Sequence, residues 1–144
     1  MEVSRIRALR GPNLWSRHTA IEAVVKLESQ ECDLDRLPGF VDRLRERFPQ
    51  LGALPQSGAS LAHALERSAL ALQAEAGCKV SFSRSAKAPD EGIYQIVVEY
   101  SEEKVGRMAL DLAIELVEAA LESRPFDLVE AIARLRETDE DVRL

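Results

Sequence analysis

The sequence predicts an α+β domain: a sheet of about four strands covered by helices, with its elements in the order ββααββαα. Three observations carry that prediction. Four short segments alternate apolar and polar residues with period two, and four others repeat apolar residues at the helical period. The strand-like segments come in pairs separated by pairs of helix-like ones, which is the pattern of segregated layers. Finally, a chain of 144 residues is long enough to bury one core and too short for two.

Val3 to Leu9 reads as the first strand, with Ile6 and Ala8 on one face and Val3, Arg5, Arg7 and Leu9 on the other, and it stops at Gly11-Pro12. The connector that follows holds the only tryptophan, Trp15. Large aromatics are usually buried, so the indole is expected to cover the core edge. Ala20 to Leu27 alternates again, with Ile21, Ala23, Val25 and Leu27 on one face. Cys32 to Arg36 is a polar link, and Gly39 to Phe48 is a short amphipathic helix with Phe40, Val41, Leu44 and Phe48 in register. Pro49 ends it.

Around the next helix the rest of the chain is organised. Ser60 is its N-cap candidate, Gly77 its stop, and Leu61, Leu65, Ala69, Leu72 and Ala76 form its apolar stripe. His63, Glu66, Arg67 and Leu70 fall on roughly the opposite side, which places them at a cleft or an open surface. Cys78, Val80 and Phe82 alternate as a third strand, Ser85 to Glu91 makes a turn, and the β-branched and aromatic run Gly92 to Tyr100 completes a hairpin. Glu102 to Leu121 is a long helix in which Gly106 and several alanines permit close packing. Asp127 caps a last helix, Leu128 to Arg136. The domain is thus expected to span residues 1–136, with 137–144 a polar linker.

A net charge of −6 and no long Lys/Arg run argue against a nucleic-acid binder, because neutralising phosphates needs a basic surface. The two cysteines, Cys32 and Cys78, lack C-x-x-C spacing, which points to a reduced, cytoplasmic setting and to no catalytic thiol. No apolar run approaches the ~18 residues that span a bilayer, so no membrane association is expected. P-loop, G-x-G-x-x-G and G-x-S-x-G patterns are all absent from the sequence.

Four segments together resemble the cyanophycin synthetases, ATP-dependent ligases that build a poly-aspartate backbone and attach arginine to its side chains. They are IRALRGPNLWS near the start, LPGF at Leu37 to Phe40, LAHALERSALALQAEAG, and GIYQIVVEYSEEKVGRMAL. The resemblance implies the amino-terminal domain that precedes ATP-grasp and ligase domains. For the full-length enzyme it implies ATP, magnesium and a homo-oligomer, and for this domain no cofactor. It also carries a helix pattern H-x-x-E-H with a glutamate four residues on, similar to a zinc hydrolase site in some members. His63 and Glu66 match the first histidine and the base, whereas Arg67 and Ala71 stand at the second histidine and the following glutamate. A zinc site needs about three protein ligands, so the remnant is expected to hold no metal.

The function expected from the resemblance is non-catalytic: binding and holding the growing aspartate-arginine polymer, cyanophycin, for the catalytic domains of the same chain. Such a polymer exposes guanidinium groups and carboxylates, so its receptor needs both signs of charge. Arg84 and Lys87 beside the hairpin turn are the first carboxylate contacts expected, Arg5 and Arg7 the next, with Asp90 and Glu91 as acidic partners. An active zinc hydrolase that trims cyanophycin into primers, and a purely structural or oligomerisation module, are the alternatives.

Overall fold

A computed structural model describes residues 1–10, 19–55 and 58–143. Strands β1 (Glu2–Leu9) and β2 (Ala20–Lys26) come first, then two short 3-10 turns over Ser29–Cys32 and Leu34–Arg36 and helix α1 (Phe40–Arg47). Helix α2 (Leu61–Glu75), strands β3 (Ser83–Lys87) and β4 (Ile93–Glu99), and helices α3 (Glu103–Leu121) and α4 (Leu128–Arg143) complete the chain. The architecture is α+β with elements in the expected order. All strand pairs are antiparallel, in the order β1-β2-β4-β3. Helices α2 and α3 pack on one face of the sheet, and α1 and α4 pack against those helices. Trp15, expected against the core edge, lies outside the described residues.

The core sits between that sheet face and α2 and α3. Ile21, Ala23 and Val25 of β2 and Ile96 and Val98 of β4 meet Leu61, Leu65 and Leu72 of α2 and Val105, Ala109 and Leu116 of α3, all buried. Phe40 and Leu44 of α1, with Phe48 just beyond its end, close one side. Gly106 lets α3 approach the sheet: a Cβ there would sit 2.6 Å from the Tyr100 Cβ.

The first strand departs from simple alternation. Its register shifts between Ser4, opposite Val24, and Arg7, opposite Glu22, so Arg5 and Ile6 together face one β2 position. Such a bulge reverses the parity of everything beyond it. Val3 and Ala8 therefore both pack toward the core, while Ile6 is exposed. Arg5 takes up the bend with a φ of 51°, a left-handed conformation uncommon for a side-chain-bearing residue.

The third strand starts later than its apolar alternation predicts, at Ser83 rather than Cys78. The backbone N–H groups of Ser81 and Phe82 donate instead to the Glu99 carboxylate, and that of Cys78 to the Gln73 carbonyl at the end of α2. With those donors taken, 78–82 bridges helix to sheet without a ladder of its own. The turn moves with it, to Ala88–Gly92. Helix α4 likewise does not end at Arg136 but runs on to Arg143. Buried Leu135 anchors it, and the Arg143–Asp139 pair at i,i+4 supports its exposed, charged end.

Candidate functional site

The six charged residues expected to contact polymer divide into groups. The hairpin carries Lys87 at the end of β3 and Glu91 in the turn. Gly92 fixes where that turn lies: its carbonyl accepts the Leu27 N–H at 2.7 Å, it adopts φ +76°, and a Cβ would be 2.6 Å from the Leu27 oxygen. Only glycine meets both demands without strain. The turn is thereby clamped against the segment leaving β2, and a cleft of about 520 Å³ opens between them.

Leu27, Ser29, Cys32, Asp33 and Arg36 line one side of this cleft and Lys87, Glu91 and Gly92 the other. Two cations and two carboxylates therefore surround it. Among the described residues none of the four is in an ion pair. The Arg36 guanidinium donates to the Ser29 hydroxyl at 3.4 Å, and the Asp33 carboxylate accepts the Asp35 N–H at 3.0 Å. Asp90 does not line the cleft; its carbonyl accepts the Ile93 N–H and shapes the turn. Asp33 and Arg36 were not singled out in the sequence, where they sit in a segment that reads only as a polar link.

Arg7 and Arg84 lie elsewhere, on the sheet face away from α2 and α3. One cross-strand row runs Arg7, Glu22, Val97, Arg84 across all four strands. Arg7 Nε donates to Glu22 Oε1 at 2.9 Å, and Glu22 is only 6% exposed. Arg5 stands beside this row at the bulge. The structure thus brings Lys87 and Glu91 together, and separately Arg5, Arg7 and Arg84.

The helix residues His63, Glu66, Arg67 and Ala71 have separate surroundings. His63 Nδ1 accepts the Ser60 N–H at 3.1 Å, which ties it to the start of α2. A backbone N–H can only donate, so the ring is neutral with its proton on Nε2. Burial, aided by the Arg67 charge, holds its pKa below the ordinary value, consistent with that form. Glu66 was expected at a cleft or an open surface and is instead 2% exposed, facing β3. The reason is that α2 is covered by β3 and β4 on one side and α3 on another, so one apolar stripe does not describe its buried surface. Glu66 Oε1 accepts the Ser83 hydroxyl at 3.0 Å and lies 3.4 Å from Arg67 Nε, while Oε2 has no hydrogen-bond partner among the described residues. Burial pushes this carboxyl up to about 7.

Among the described residues no three His, Cys, Asp or Glu side chains converge as metal ligands. His63 spends Nδ1 on the cap, Arg67 brings a cation, and Ala71 offers no donor, so these residues do not fit a zinc ion. No helix among the described residues is long and apolar enough to cross a membrane.

Comparison with known proteins bears on the whole chain. The cyanophycin synthetases of Trichormus variabilis and of a Nostoc species are each 36% identical to it over 138 residues, covering 85% of this chain and 15% of theirs. That of Geminocystis herdmanii is 33% identical over 146 residues, covering 90% of this chain and 17% of its own. The chain therefore spans about a sixth of the length of these curated relatives. A family model described as the cyanophycin synthase-like N-terminal domain matches residues 21–122, which take in β2 through α3 and both faces of the charged cleft. With most of the chain matched in this way, the protein belongs to the cyanophycin synthase-like N-terminal domain family.

Proposed function

We propose that this domain binds cyanophycin and holds it for catalytic domains of the same chain. The observation that carries the reading is the hairpin cleft, where Asp33 and Arg36 on one side face Lys87 and Glu91 on the other, with no ion pair among them in the described residues. A polymer that alternates free carboxylates and guanidinium groups satisfies both pairs at once, and Arg-to-carboxylate contacts are bidentate and directional. The Arg7–Glu22–Arg84 row, with Arg5 beside it, offers the polymer a second, more distant strip. In this reading the domain is cytoplasmic and holds no cofactor. ATP and magnesium serve ATP-grasp and ligase domains, and the full enzyme is a homo-oligomer.

Titration with short aspartate-arginine oligomers tests the reading. Binding is expected to weaken between low and moderate salt, since exposed charges are screened over about 10 Å at 0.1 M. Reversing Lys87 and Arg36 together to glutamate should weaken it about tenfold or more, and Arg84→Glu less. Equal affinity in the double variant would remove the cleft from the site.

The same reading makes the domain non-hydrolytic. Metal-assisted hydrolysis needs a water activated by a metal with an open position, and Arg67 and Ala71 remove the ligands that would hold that metal. Purified protein is expected to carry no stoichiometric zinc and to release no shorter chains from cyanophycin. Cleavage abolished by Glu66→Gln or by a chelator would reverse this conclusion.

A further inference from the structure

The residues that fail to make a metal site line a groove of a different chemistry. Between the loop after α1, the outer side of α2 and the segment leading to β3 lies a space of about 190 Å³, walled by Leu51, Leu70, Ala71, Ala74 and Val80. Among the described residues, Arg67 is the only charged one in its lining. Its side chain is 49% exposed, and its Nε leans on Glu66 at 3.4 Å. Its two terminal nitrogens make no hydrogen bond among the described residues. We propose that this groove binds a small carboxylate on an aliphatic stem, with the Arg67 guanidinium gripping the carboxylate and the apolar wall taking the stem.

Sign, size and available donors all point the same way. The space is smaller than the roughly 300–1,000 Å³ of drug-sized ligand sites, so it suits a fragment or a chain end. A guanidinium offers paired N–H groups in the geometry a carboxylate accepts, and an apolar surround strengthens that contact by excluding water. Glu66 does not satisfy this demand. It approaches Nε at 3.4 Å, and its buried carboxyl, pushed up to about 7, is only partly ionised near neutrality and so neutralises Arg67 incompletely. Ala71 leaves open the space that a longer side chain would fill. The site lies on α2, apart from the hairpin cleft, and does not depend on polymer binding there.

NMR titration of the 144-residue chain with hexanoate, hexylamine and acetate tests the proposal, using the methyl signals of Leu51, Leu70 and Val80 and the Arg67 Nε–H. A blocked dipeptide ending in leucine, as free acid or as amide, distinguishes a chain-end carboxylate from a free small acid. Hexanoate or the peptide acid should shift these signals at about 10 mM, within the weak affinity so few atoms allow, and acetate should do so less. Arg67→Gln, and separately Ala71→Leu, should each weaken binding about tenfold or more while the protein stays folded. The proposal fails if hexylamine or the peptide amide shifts the same signals equally, if neither carboxylate shifts them, or if Arg67→Gln binds as the parent does.

Discussion

Glu66→Gln is expected to make the protein more stable than the parent at about pH 8 and to leave it nearly unchanged at about pH 4. The buried carboxyl is raised from 4.5 to about 7, first by burial and against the Ser83 hydrogen bond and the Arg67 charge. A carboxyl with a raised folded-state pKa binds its proton more tightly when folded than when unfolded. Stability from that proton is therefore full below about pH 4.5 and is lost as pH rises through about 7. One pKa unit corresponds to about 1.4 kcal/mol, so the loss amounts to about 3 kcal/mol, and glutamine avoids it. The lost contact with Arg67, a half-exposed pair, offsets at most about 1 kcal/mol. Urea titrations of both proteins at the two pH values measure the difference directly. Because His63 titrates in both proteins, its contribution largely cancels. A stability difference that is the same at both pH values would mean that Glu66 reaches solvent or a counter-charge and ionises normally.

Gly92→Ala is expected to destabilise the domain by about 1–3 kcal/mol from backbone strain alone, and to weaken polymer binding as well. The new methyl would stand 2.6 Å from the Leu27 carbonyl oxygen, in backbone rather than a yielding side chain, at a φ of +76°. Relief requires the turn to move off β2, which breaks the Leu27-to-Gly92 hydrogen bond and separates Glu91 and Lys87 from Asp33 and Arg36. Denaturant unfolding gives the first effect, and oligomer titration under conditions where the variant remains folded gives the second. A folded variant with parental affinity would show that the cleft does not depend on the clamp.

The element order, the family resemblance and most of the core were legible in the sequence, because local periodicity registers which face of an element is buried. Ile21, Ala23 and Val25, Phe40, Leu44 and Phe48, and the Leu61–Leu65–Leu72 stripe are all buried as that periodicity predicts. Periodicity misled where a long-range contact competes with the local pattern. The alternation of Cys78, Val80 and Phe82 does not make a ladder because Glu99 takes the backbone donors of Ser81 and Phe82. One inserted residue at Arg5 and Ile6 turned the face of β1, and paired charges carried α4 past Arg136.

The sites show the same division. The sequence by itself determined that the chain carries both signs of charge near a hairpin, and that Arg67 and Ala71 share a helix with His63 and Glu66. Only the tertiary structure decided which charges meet. It joined Lys87 and Glu91 to Asp33 and Arg36 across more than fifty residues of chain, and placed Arg7 and Arg84 on the sheet instead. It also buried Glu66 under β3 and left Arg67 over an apolar groove. A side chain's pKa and its unused donors depend on what packs around it, and that packing is set by strand pairing and helix docking between distant segments rather than by neighbours in the chain.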